Sequence, residues 1–252
     1  MSDKEDPFFV GYLPAPKSLR WFLAGVSLLL ILAFPLFSWA VSVTQEDPGP
    51  SGYRFDFGRQ TLTGTITLAP YPTLHVTEGS ELVAAGETIL LAGVGKFGVA
   101  NRVSDFDGAL ATLQGIILDR GDLRMLQVAG GRRGVMAAEG EAPTLDIEPL
   151  GRWRLSGEIC DGKCLAGAMR PGTGIGHRAC AQLCLVGEVP PVFVASEPIN
   201  GHEFFLIGTA DGAPIGRDLI DFVGLYVEAE GEISLRGGMP VLIIDPETVE
   251  SL

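Results

Sequence analysis

Histidine and cysteine are scarce in this chain, with three and four among 252 residues. So few cysteines cannot make a densely cross-linked scaffold of this length. Basic residues are also in short supply, 18 Lys and Arg against 31 Asp and Glu, for a formal net charge of -13. Such an anion repels phosphate backbones, which argues against nucleic acid as a partner. No long acidic run is present either, so the negative charge reads as a solvated surface rather than a binding tail. A Ser/His/Asp constellation and a C-x-x-C redox pair are both missing, and GVGKFG at 93–98 lacks the spacing of a phosphate loop. These gaps make a non-enzymatic role the expectation, with GVGKFG read as a turn region.

Long apolar runs are lacking too, with one exception. Trp21 to Val43 (WFLAGVSLLLILAFPLFSWAVSV) is 23 residues without a charge. As a helix it covers roughly 34 Å, enough for a hydrocarbon core of about 30 Å. Lys17 and Arg20 precede it and Glu46 and Asp47 follow. The positive-inside rule then keeps residues 1–18 in the cytoplasm, uses 19–43 as a transmembrane helix and sends the body outward. A cleaved signal peptide, with Ala40 and Ser42 before the cut, is the alternative. The apolar run exceeds the usual signal length and the preceding segment carries acids, which favours an uncleaved anchor. The expectation is a single-pass protein of a bacterial inner membrane with a periplasmic body. Residues 44–56 read as a Pro/Gly linker. The aromatic FFVGYLPAPKSL segment is expected to lie in the membrane interface or to meet a membrane partner.

The body, with 34 glycines and 17 prolines in the whole chain, reads as short strands joined by turns. Glu87–Val128 and Glu203–Ile244 align without a gap at an offset of 116, with ten identities that include Gly108/Gly224, Gly115/Gly231, Ile117/Ile233 and Gly121/Gly237. Upstream, LTGTI (62–66) matches LSGEI (155–159) at an offset of 93, so the second copy carries about 23 extra residues after its first strand. About five short strands per unit with little helix suit a small barrel of the OB type. The predicted fold is mainly β, with two tandem OB-like barrels at 57–148 and 149–250. The first is expected to be a spacer or docking module.

All four cysteines fall in the insertion, spaced Cys160-x3-Cys164-x12-His177-x2-Cys180-x3-Cys184. HRACAQLCLV has no helix breaker, so a short helix is expected to place His177, Cys180 and Cys184 on one face. With Cys164 they make a tetrahedral N/S ligand set for zinc; iron is the alternative, and Cys160 is a spare ligand. Outside the cytoplasm, however, four cysteines readily form two disulfides that would staple the loop to the barrel, with Cys160 and Cys164 pairing to Cys180 and Cys184. Sequence spacing leaves both readings open.

The stretch GEICDGKCLAGAMRPGTGIGHRACAQLCLVGEVPPVFV resembles a motif, G-E-[IV]-x-D-x-x-C, H-x-x-C-A-x-x-C, then G-x-P, of uncharacterised exported or membrane-anchored bacterial proteins. The resemblance covers roughly 155–245 and the FFVGYLPAP start. It implies Cys164, His177, Cys180 and Cys184 as the shared set, with Cys160 at an otherwise aliphatic position. Two functions follow as expectations. One is an accessory subunit docking to a membrane complex, possessing a structural metal or disulfide element. The other is a metal-binding or thiol redox protein that uses the cluster as its active centre.

Overall fold

A computed structural model describes residues 16–44 and 50–252. These fall into two compact units, an N-terminal helix and the body. Residues 8–15 of the FFVGYLPAP segment, Glu46 and Asp47 lie outside the described residues.

In the first unit, helix α1 (Arg20–Thr44) runs unbroken through Pro35. Apolar side chains cover it all round, and Trp21, Leu29, Ile31, Phe34 and Phe37 are exposed. It is long and apolar enough to cross a membrane.

The body consists of two closed five-stranded barrels. In the first, β2 (Gln60–Thr67), β3 (Thr73–Glu78), β4 (Thr88–Ala92), β5 (Leu110–Arg120) and β6 (Leu123–Val128) pair in the order β5-β2-β3-β4-β6, and β5–β6 pairing closes the ring. The short β1 (Gly52–Tyr53) and β7 (Val135–Ala137) add to β5. In the second, β8 (Ile147–Asp161), β9 (Pro191–Ile199), β10 (His202–Gly208), β11 (Tyr226–Arg236) and β12 (Met239–Ile244) repeat that order, with β13 (Glu250–Ser251) on β11. In both rings the third and fifth strands are parallel and every other pair is antiparallel. A one-turn helix precedes the fourth strand in each, α2 (Ala100–Val103) and α4 (Arg217–Ile220). This is OB-like topology twice over.

The internal repeat holds at the level of register. Leu90 pairs with Met125 and Leu206 with Val241; Gly115 pairs with Val128 and Gly231 with Ile244. Ala111, Leu113 and Ile117 point into the first barrel, and Val227, Ala229 and Ile233 occupy the same positions in the second. This alternation is what a strand with one buried face requires. Between them Gly115 and Gly231 sit where a neighbouring strand crosses so closely that a Cβ would collide with the Gln127 or Ile243 carbonyl. The shared glycines there record a steric demand of the closed barrel.

The first-strand offset of 93 is also a register equivalence, since Gly64 pairs with Val76 and Gly157 with Ala195. At the second strand the offset is 119, and it returns to 116 at the third because the β9–β10 hairpin is shorter than the β3–β4 one. The inserted segment is therefore slightly longer than the sequence alignment implies. The first-to-second-strand connection is 68–72 in one barrel and 162–190 in the other.

Each barrel has its own apolar core, centred on Leu62, Leu91 and Ile117 in the first and on Ile159, Phe193 and Phe205 in the second. A third buried cluster joins them. Tyr71, Leu90, Leu118 and Met125 of the first barrel pack against Leu165, Val192, Phe204 and Val241 of the second. Residues 50–56 are less of a linker than the sequence suggests: β1 pairs with β5, Arg54 reaches Asp119 at 3.0 Å, and its guanidinium lies over the Phe57 ring.

Candidate metal centre

The insertion is folded, and local sequence explains how. Gly162 N–H donates to the Pro190 carbonyl and closes its base. A π-type turn follows at Cys164–Ala168 and breaks at Gly167, whose φ of 125° few side chains tolerate. A Cβ at Gly167 would also strike the Gly52 backbone, so glycine here lets the turn press on β1. Arg170 donates to the Ser51 carbonyl at 2.7 Å, and Gly174 N–H to Glu158 Oε1 at 2.6 Å. Helix α3 (Arg178–Val186) then forms as expected, with His177 at its N-cap and Gly187 ending it.

This path gathers three of the four cysteines. The sulfurs of Cys164, Cys180 and Cys184 lie within 4.8 Å of one another. Cys180 and Cys184 reach the cluster because four residues advance a helix by just over one turn, and Cys164 comes from the facing π-turn. Val189 and Ala168 pack around them, so Cys164 and Cys184 are buried while Cys180 is half-buried. All four cysteines are free thiols.

His177 belongs to an adjoining group. Its Nε2 lies 2.9 Å from Asp161 Oδ2, and Asp161, His177 and Cys164 offer ligand atoms within 4.8 Å of one another. The pair is almost wholly enclosed, with Asp161 0% and His177 3% exposed. Asp161 Oδ1 accepts the Cys164 N–H at 2.8 Å, so one carboxylate orients both the imidazole and the π-turn. Cys164 is the residue common to both groups.

Cys160 joins neither. It lies on β8 in the cluster between the barrels, where its thiol donates to Glu158 Oε1 at 3.1 Å. Burial and the Glu158 carboxylate push that thiol well up from its ordinary range. Pairing Cys160 with Cys180 or Cys184, the disulfide alternative, has no counterpart in this arrangement.

The first barrel contributes a residue that sequence reasoning passed over. The GVGKFG loop leaves β4 and lies against the end of α3: Gly98 N–H donates to the Gly187 carbonyl at 2.6 Å, and a Cβ at Gly187 would strike the Lys96 carbonyl. Lys96 Nζ thereby sits 2.6 Å from Cys180 Sγ and 3.7 Å from Cys184 Sγ. Its bond to Cys180 raises the Lys96 ammonium above the ordinary lysine range. Lys163, 2% exposed, donates to the carbonyls of Gly93 and Gly95 at 2.6 and 2.7 Å and pins the same loop from beneath. Burial lowers the Lys163 pKa, against the pull of the nearby thiols and Asp161. The only sequence signal for Lys96 was a lysine among three glycines, which allows close backbone approach but names no partner.

The thiols share protons unequally. The neighbouring Cys184 and burial together hold the Cys164 proton firmly. The adjacent Cys164 thiol, with Lys96 close by, favours thiolate at Cys184 despite its burial. Three converging sulfurs, one predisposed to ionise and a cation at hand, make a donor set for a thiophilic metal ion. No family model, curated protein or solved structure matches this chain.

Proposed function

We propose that this is a membrane-anchored metal-binding protein whose two barrels hold a thiolate-bound ion outside the cytoplasm and present it, as an accessory subunit, to a membrane complex. The observation that carries the reading is the convergence of Cys164, Cys180 and Cys184 beside Lys96. Burying thiolates without a counter-charge is costly, so an ammonium at hydrogen-bond distance supports thiolates rather than thiols as the working state. Cys164, Cys180 and Cys184 are the ligands in this reading, and the Asp161-oriented His177 imidazole supports Cys164 or completes the set. Lys17 just before α1, Arg20 at its start and the acidic residues after it support a cytoplasmic N-terminus, and with it a periplasmic body.

A second reading, an active metal or thiol redox centre, is favoured by one feature. Cys180 is half-buried rather than sealed, so an ion or thiolate there is within reach of a partner. Both readings share the site. Metal analysis of full-length protein purified from its native membrane, with thiols counted before and after metal removal, tests it. One equivalent of metal and three thiols exposed only on its removal support the proposal; a metal-free protein with three freely reacting thiols contradicts it.

A further inference from the structure

The sulfur set extends beyond the thiols. Met169 Sδ lies 3.5 Å from Cys180 Sγ. It gets there because the chain leaves the π-turn at Met169 in extended conformation, φ -150° and ψ 146°, folding the side chain back towards α3. Met169 is 45% exposed and Cys180 is half-buried, whereas Cys164 and Cys184 are enclosed. The cluster thus has a closed end of two thiols and an open end formed by a thiol and a thioether.

The fourth donor decides the metal class. Zinc completes its tetrahedron with thiolate, imidazole or carboxylate. Here the nearby imidazole and carboxylate fall in the adjoining group, which shares only Cys164 with the three thiols, and Asp161 also holds the Cys164 N–H. A neutral thioether sits beside Cys180 instead. Thioether sulfur is a soft, weakly basic donor that hard and borderline dications gain little from, while soft monovalent ions accept it readily. Lys96 places a positive charge at 2.6 Å from Cys180, which offsets the surplus negative charge several thiolates leave around a singly charged ion.

We propose that the site takes Cu(I), held by Cys164, Cys180 and Cys184 with Met169 as the soft donor at its open edge. This rests on the metal-site reading above and specifies its ion. Each thiol that ligates gives its proton to solvent, and the copper stays in the +1 state, so no oxidant or reductant is consumed.

The test uses full-length protein in detergent, kept anaerobic and reduced. Cu(I) is titrated against a coloured Cu(I) chelator, and Zn(II) separately against a zinc indicator. The expected result is one Cu(I) per chain, with Met169→Leu weakening Cu(I) on the order of tenfold and leaving Zn(II) unchanged. Met169→Leu nearly conserves volume at a half-exposed position, and an unchanged thermal melt verifies its fold. Cys180→Ser, likewise at the open end, is expected to lose Cu(I) to the chelator. Wild-type Cu(I) affinity in Met169→Leu overturns the assignment. So does tight Zn(II) binding that collapses in His177→Ala, which keeps the metal site but makes it a zinc tetrahedron. Folded wild-type protein that holds neither ion overturns both this inference and the reading beneath it.

Discussion

The two barrels share a scaffold to the level of strand register and differ at the connection between their first two strands. In the first barrel residues 68–72 cross directly; in the second, 162–190 build a π-turn, a helix and a sulfur cluster. Positions equivalent at the offset of 93 make the contrast sharper. Leu68 of the first barrel, packed on its own core, corresponds to Asp161 of the second, the carboxylate that organises the insertion. A barrel closed by its own hydrogen bonds tolerates a long insertion at a loop, because the chain leaves and returns at paired positions. The barrel is the mount, and the insertion carries the sulfur cluster. The first barrel is nevertheless more than a spacer, since its GVGKFG loop delivers Lys96 to the thiols.

Substitutions at these paired positions test the contrast. The largest effect is expected at Asp161→Ala, which strands a buried imidazole and an uncapped π-turn and costs roughly 3–5 kcal/mol in denaturant unfolding. Leu68→Ala at the matching position removes apolar contact alone and costs about 1 kcal/mol. Equal losses would mean that the insertion is not organised by its carboxylate. Gly115→Ala and Gly231→Ala are next. Each puts a methyl group into a facing carbonyl, so each is expected to cost about 3 kcal/mol, and tolerance of only one would break the structural equivalence of the barrels.

A pH effect probes the joint between the barrels. Tyr71 is buried there and its hydroxyl accepts the Ile215 N–H at 3.0 Å. Burial pushes the Tyr71 phenol up to about 12 from an ordinary 10. The folded state therefore holds that proton more tightly than the unfolded state. Its contribution is fully present below pH 10 and is lost as pH rises through about 12, a change of about 3 kcal/mol. Tyr71→Phe should flatten the stability profile over that window, and an unchanged slope would contradict the assignment. The smallest effect on stability is expected at Lys96→Met. Unfolding should shift by under about 1 kcal/mol, while metal affinity falls on the order of tenfold as the thiolates lose their counter-charge. Unchanged affinity would return the GVGKFG loop to a purely structural role.

Much of this was legible in the sequence because periodicity and spacing report local geometry. The alternation Ala111, Leu113, Ile117 repeats as Val227, Ala229, Ile233, and Gly115 recurs at Gly231 for a steric reason common to both barrels. The helix bearing Cys180 and Cys184 follows from a ten-residue run, HRACAQLCLV, without a helix breaker. Lys96 and Asp161 were not legible as site residues. Lys96 is 84 positions from Cys180, and only the packing of one barrel on the other brings them together. Asp161 stands in the sequence motif without a role beside the Cys and His ligands; the fold buries it completely, and burial obliges it to bond His177 and the Cys164 amide. The position of Cys160 on a strand facing the other barrel likewise needs the tertiary structure to separate it from the remaining sulfurs.

The most direct test of a metal centre built by the insertion is differential thiol labelling of the full-length protein with and without a metal chelator, combined with metal analysis of the same sample. One equivalent of bound metal is predicted, with Cys164, Cys180 and Cys184 protected until chelation and Cys160 exposed only on unfolding. Labelling of Cys164, Cys180 and Cys184 at the same rate before and after chelation, in protein that carries no metal, would contradict the account.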